Sequence, residues 1–206
     1  MANHSDEQNE GIVQFFVDVI INSAVIIALF FLVQAFIAAP FQVEGNSMYD
    51  TLVDNEYIVV SKLEYTFGSP QRGDVIVFHP PHDTEVFYIK RIIGVPGDHV
   101  RLKGGEVYVN DVKIEEEYLR EGVRTCVVGR LNSCENDDKE YVVPDDEYFV
   151  MGDNRHGSSD SRGWMHDGQP DSFVSRDQIQ GKTRIVLYPL PSIRLFPETS
   201  AFASVH

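Results

Sequence analysis

VIINSAVIIALFFLVQAFIAA, residues Val19 to Ala39, carries no formal charge, and the uncharged run continues to Val43. As a helix rising roughly 1.5 Å per residue, these 25 positions reach about 38 Å, more than the roughly 30 Å hydrocarbon thickness of a bilayer. The apolar residues surround the whole helix rather than one stripe of it, and Pro40 supplies a stop. The reading is therefore a short tail over 1–11, a membrane-spanning helix over 12–39 and a separate domain over 40–206. A cleavable signal peptide competes with this reading. It needs an apolar core of only about 7–15 residues behind a basic start, whereas this chain opens with the acidic MANHSDEQNE. Asp18, at the edge of the span, reads as a boundary residue among lipid headgroups. No Lys or Arg precedes the helix and the first after it is Lys62, so flanking positive charge does not set its orientation.

Outside this segment the chain is a different material. Of 206 residues 43% are hydrophobic and 24% charged, enough for one folded domain with a core and too ordered a mixture for a disordered tail. All 17 basic residues and 28 of the 32 acidic ones lie beyond Val43, and the net charge of −15 repels a phosphate backbone. Nucleic acid is thus not an expected partner. The mean hydropathy of −0.19 averages an apolar anchor with an acidic domain. Tyr57–Ser61, Asp74–Phe78, Val86–Ile93, Glu106–Val109 and Tyr148–Met151 are short β-branched or aromatic runs punctuated by Gly, Pro and Asp. No long helical period, internal repeat or heptad competes with them. The expected fold is mainly β, in mixed antiparallel sheets, behind one N-terminal transmembrane helix.

Cys126 and Cys134 lie eight positions apart in TCVVGRLNSC, a polar stretch rich in turn residues. Outside the cytoplasm a local disulfide is favoured, whereas inside it two free thiols are the ordinary state. Zinc is not expected, because nothing nearby supplies a third and fourth ligand at usual spacing.

Three patches carry chemistry. GNSMYDTL, Gly45 to Leu52, places Ser47 in a glycine-containing turn shortly after the apolar helix. A lone serine in a turn is usually structural, because an unassisted hydroxyl is a poor nucleophile and needs a base. FYIKRIIGVPGDHV, Phe87 to Val100, sets Lys90 in an otherwise hydrophobic strand, with Tyr88, Lys90 and Ile92 on one face and Ile89, Arg91 and Ile93 on the other. A lysine held against apolar neighbours loses proton affinity and becomes a base near neutral pH. One on an edge strand extends to solvent and does not. YFVMGDNRHGSSDSR, Tyr148 to Arg162, runs from a strand into a loop where Asp153, Arg155, Asp160 and Arg162 can brace one another and Ser158 can bond a neutral lysine. A surface turn stabilised by Asx bonds is the plainer reading of the same residues.

Together and in this order, the patches resemble the type I signal peptidases, membrane-bound serine proteases that remove leader sequences from exported proteins. KRIIGVPGD and GDNRHGSSDSR are the most specific strings, and RGDVIVF (Arg72–Phe78) also looks like a family segment, so its RGD implies no adhesion role. The resemblance implies a Ser–Lys dyad, with Ser47 as acylating nucleophile, Lys90 as general base and Ser158 orienting the amine. It also implies that Arg91 pairs with Asp153, that Asp160 pairs with Arg162, and that Met48 walls the nucleophile. Substrates would be preproteins with small residues one and three positions before the cut, docked by strand addition. No metal or cofactor is implied. The short N-terminus would be cytoplasmic and the β domain extracytoplasmic at the cell membrane, which agrees with the cysteine pair, and a monomer is expected.

The chain departs from the family pattern twice. Gly45 stands where some members have a serine whose hydroxyl helps the oxyanion hole, leaving backbone N–H groups for that task, as in many monoderm-type relatives. Asp50 stands where the family usually has Pro or Ser, and this extra carboxylate removes no group the mechanism requires. His79 and His82 flank a Pro-Pro turn and His156 lies in the serine-rich loop, a scatter that gives no histidine-based alternative. A peptide-binding module without activity, a repressor-type Ser–Lys autoprotease and a peptidase dedicated to one substrate are the rival readings; the second lacks room for a DNA-binding domain.

Overall fold

Beyond Pro40 the β-branched and aromatic runs form strands in the computed structural model, which describes residues 4–127, 134–166 and 168–205. The chain divides into two units, 1–39 and 40–206.

The first unit is α1 (His4–Phe36), whose segment Val13–Gln34 has a mean hydropathy of 2.6 and is long and apolar enough to cross a membrane. The sequence reading placed this helix over 12–39; it starts eight residues earlier and ends sooner. The residue before a proline is pushed out of the helical region, so the approach to Pro40 is extended rather than helical.

The strands are β1 (Ala38–Gln42), β2 (Tyr57–Ser61), β3 (Val75–Phe78), β4 (Tyr88–Gly94), β5 (His99–Lys103), β6 (Glu106–Val109), β7 (Val112–Lys113), β8 (Asp138–Val142), β9 (Glu147–Met151), β10 (Met165–His166), β11 (Gln169–Pro170), β12 (Val174–Ser175), β13 (Ile179–Tyr188) and β14 (Arg194–Leu195). The larger sheet has the order β1-β2-β13-β3-β4-β9-β12, with β14 also on β13, and the smaller has β7-β6-β5-β8. The β3, β4 and β9 pairings are antiparallel, with Ile76 opposite Lys90, Val75 opposite Arg91, and Arg91 opposite Met151. The mainly β, antiparallel expectation is what the domain shows.

Alternation along β3 explains how the larger sheet is buried on both sides. Val75 and Val77 join Val43, Met48, Leu52 and Ile58 in one apolar cluster, while Ile76 and Phe78 join Ile92, Val150 and Trp164 in another. A third cluster, including Ile93, Val100, Leu102, Val109 and Phe149, packs against the smaller sheet. The two sheets are joined where β4 leaves through Val95–Asp98 into β5. There the Asp98 carboxylate accepts from Arg72 Nε at 2.7 Å, from the Val95 N–H at 2.8 Å and from Asn110 Nδ2 at 2.9 Å. The RGD is consumed by this scaffold, since Arg72 holds Asp98, and Asp74 accepts from Tyr65 Oη at 2.7 Å and pairs with Lys182 at 2.6 Å.

Candidate active site

β4 is not an edge strand. With β3 on one side and β9 on the other, its lysine does not extend from a sheet edge, and Lys90 is 3% exposed. The side chain extends to the turn carrying Ser47, and Lys90 Nζ donates to Ser47 Oγ at 2.8 Å and to the Ile89 carbonyl at 2.9 Å. Burial lowers the Lys90 pKa from 10.5 to about 8, against the opposing pull of the Asp160 and Asp153 carboxylates. A neutral amine is therefore within reach near neutral pH, pointed at a hydroxyl by a backbone carbonyl.

The serine sits where it does because the turn around it is tied down. Gly45 adopts φ +83°, a left-handed conformation that strains any other L residue, and its N–H donates to Asp54 Oδ1 at 2.7 Å. The Leu52 N–H closes the turn on the Met48 carbonyl at 2.9 Å, and the Met48 and Leu52 side chains are buried in the core. Asn154, from the loop after β9, donates its N–H to the Ser47 carbonyl at 3.0 Å and its Nδ2 to the Asn46 carbonyl at 2.9 Å. The Ser47 N–H donates to no described residue. Ser47 and Lys90 both line a cleft of about 690 Å³ whose walls include Phe41, Val43, Val77, Phe87 and Tyr88.

Arg91 turns away from the cleft and makes a double contact with Asp153, Nε to Oδ1 at 2.9 Å and Nη2 to Oδ2 at 2.7 Å, both side chains buried. Asp160 pairs with Arg162 at 2.8 Å and accepts the Gly152 N–H at 3.0 Å. Burial alone would raise the Asp160 pKa, but the Arg162 guanidinium and the Gly152 N–H hold it below the usual carboxylate range. Arg162 also donates to the Cys126 carbonyl at 3.2 Å, and Cys126 and Cys134 are joined by a disulfide.

Other sequence-derived partners are not brought together. Ser158 Oγ is buried without a hydrogen bond of good geometry but lies near enough to the Asp160 carboxylate to help lower its pKa, while the Lys90 amine donates to the Ile89 carbonyl. The serine packs instead against Gly152, where an added Cβ would lie 2.2 Å from Ser158 Oγ and 2.4 Å from the Ser47 carbonyl. Arg155 donates within its own loop, from Nε to the Gly152 carbonyl at 3.1 Å, but makes its ion pair outside it, with Glu116 at 2.5 Å from Nη2 and 2.8 Å from Nη1. Asp50 pairs with Arg120, whose guanidinium lies 5.1 Å from the Tyr49 ring centre. His79 Nδ1 meets the Val86 carbonyl at 2.9 Å and His156 Nε2 the Arg124 carbonyl at 3.2 Å, while the His82 ring packs near Tyr88 and Trp164.

Three contributors were not singled out from sequence: Asn154, Thr51 and Tyr118, whose ring lies 3.9 Å from the Arg91 guanidinium. Asn154 directly follows Asp153 in GDNR and was within reach of the motif reading. Thr51 and Tyr118 carry no local signal, because their partners lie 102 and 27 positions away, respectively.

The family described as "Signal peptidase, peptidase S26" matches residues 16–188. Signal peptidase I U of Bacillus subtilis (strain 168) is 40% identical over 176 residues, covering 85% of this chain and 89% of the relative. Signal peptidase I S of the same strain is 37% identical over 83% of this chain and 87% of its own length. Signal peptidase IB of Staphylococcus aureus strain Mu50 is 35% identical over 85% of this chain and 91% of its own length. The chain belongs to the signal peptidase family of serine peptidases, peptidase S26.

Proposed function

We propose that this protein is a membrane-anchored endopeptidase that removes signal peptides from exported preproteins with a Ser47–Lys90 dyad. The observation that carries the reading is the 2.8 Å contact between Lys90 Nζ and Ser47 Oγ, made by an amine whose burial lowers its pKa to about 8. Neutral Lys90 takes the Ser47 proton as the hydroxyl attacks the scissile carbonyl, and the ammonium then protonates the leaving amine. The Ser47 N–H stabilises the oxyanion, and Lys90 activates the water that hydrolyses the acyl-enzyme. Arg91–Asp153 and Asp160–Arg162 fix the scaffold around the amine, and Met48 walls the turn. Neither a metal nor a cofactor has a step in this chemistry.

The substrate is an extended segment with small residues one and three positions before the cut, lying along the cleft between the Ser47 turn and β4. The apolar helix holds the protein in the cell membrane with its N-terminus cytoplasmic and the β domain outside, where a substrate's own hydrophobic leader also resides. Sharing that surface raises the rate of encounter. One copy supplies both members of the dyad, so the protein acts as a monomer. The disulfide between Cys126 and Cys134 suits an extracytoplasmic domain.

The test is cleavage of a synthetic leader peptide with Ala at both specificity positions by the detergent-solubilised protein. Cleavage at that bond, resistant to chelators and abolished in Ser47→Ala and Lys90→Ala, is expected. Activity that survives either substitution overturns the dyad.

A further inference from the structure

The two members of the dyad come from segments far apart in sequence, and their side chains meet through a single hydrogen bond. Something else must hold the backbones at that separation when the bond is broken during reaction. The Asp153 carboxylate lies between them. On one side it receives the double contact from Arg91, the residue next to Lys90 on β4. On the other, Asp153 Oδ2 accepts from Thr51 Oγ1 at 2.5 Å, four residues after Ser47. The Thr51 carbonyl is held in turn by Arg194 Nη2 at 2.9 Å, and Arg194 is itself fixed by Glu56 at 2.7 Å.

We infer that Thr51 is a positioning residue for Ser47: its hydroxyl ties the nucleophile's turn, through Asp153 and Arg91, to the strand that carries Lys90. This rests on the Ser47–Lys90 reading and adds to it the element that sets the distance between the two groups. Thr51 touches neither substrate nor reacting atom. Its hydroxyl matters because small displacements of a nucleophile are costly, on the order of 10²-fold for about 1 Å. The Asn154 bonds to the Asn46 and Ser47 carbonyls remain when the hydroxyl is removed, so the turn shifts rather than unfolds. Asp153 keeps both Arg91 contacts, so its charge beside Lys90 is unchanged.

The experiment compares Thr51→Val, which removes the hydroxyl at similar size, with Thr51→Ser, which keeps it, in the full-length detergent-solubilised protein. Thr51→Val is expected to lower kcat by roughly 10- to 100-fold with KM within about 2-fold of wild type. The midpoint of its pH–rate profile should be unchanged and its Tm close to wild type, while Thr51→Ser restores kcat to within about 3-fold. Wild-type kcat in Thr51→Val, equal losses in both variants, a loss confined to KM, or a displaced pH midpoint overturns the inference. Should Thr51→Val not fold, Thr51→Ala is read against Thr51→Ser by the same criteria. Ser47→Ala is run alongside: activity retained there sinks the dyad itself, whereas its loss there with an unaffected Thr51→Val sinks only the role of Thr51.

Discussion

Replacing Lys90 with Met is expected to abolish cleavage and, over part of the pH range, to stabilise the protein. Lys90 titrates at 10.5 in the unfolded chain and at about 8 when folded. That difference corresponds to about 3 kcal/mol, since one pKa unit is 1.36 kcal/mol. The folded state loses its proton first, so between about pH 8 and 10.5 the unfolded chain binds more protons and stability rises with pH. Below about pH 8 both states carry the proton, and the whole cost of a buried ammonium is borne by the fold. Met removes that cost and forfeits two hydrogen bonds, to Ser47 Oγ and the Ile89 carbonyl, worth about 1 kcal/mol each. The net result is a gain of about 1 kcal/mol at pH 7 that reverses by pH 10. Most of the 3 kcal/mol swing falls within this window, and at about 2–4 °C per kcal/mol it moves the Tm difference between variant and wild type by roughly 5–10 °C. Thermal unfolding of both proteins in detergent at pH 7, 8, 9 and 10 measures it. A Tm difference that does not vary with pH would refute the reasoning, because it would mean that Lys90 enters the fold without losing proton affinity.

Four further outcomes follow from the same geometry. Wild-type kcat/KM should rise with pH through about 8, because the reactive form of Lys90 is the neutral one. In Asp160→Asn the midpoint should move lower, since that carboxylate raises the proton affinity of the amine, and leaving Arg162 unpaired should cost about 3–5 kcal/mol in thermal or urea unfolding. Gly152→Ala forces a Cβ to within 2.4 Å of the Ser47 carbonyl, so peptide cleavage should fall about 100-fold; an active Gly152→Ala protein would show that the turn has freedom to move. Asp50→Ala should leave both cleavage and Tm near wild type, because the Asp50–Arg120 pair is solvent-exposed and contacts neither Ser47 nor Lys90, and a large loss of cleavage would give Asp50 a part in substrate binding.

Much of this protein is legible in its sequence because the forces concerned are local. An apolar run too long and too uniform for a surface helix reads as a membrane span, and β-branched runs between turn residues read as strands, with β2 and β6 at the residues expected. The family resemblance carried by KRIIGVPGD and GDNRHGSSDSR implies both charge pairs, Arg91–Asp153 across the two strings and Asp160–Arg162 within the second. The long strand β13, which lies between β2 and β3 in the larger sheet, was not recognised; its alternation is interrupted by bulges that shift its register with both neighbours.

What sequence alone determined was therefore the long apolar helix and the mainly β class, together with the set of candidates for chemistry. Whether Lys90 is an exposed edge lysine or a buried one was open in the strand's own pattern. Only the pairing of β4 between β3 and β9 decided it, because desolvation depends on what covers a residue and not on its neighbours in the chain. The same holds for the bonds from Thr51 to Asp153 and from Lys90 to Ser47. These are contacts between segments that approach one another only once both faces of the larger sheet are packed.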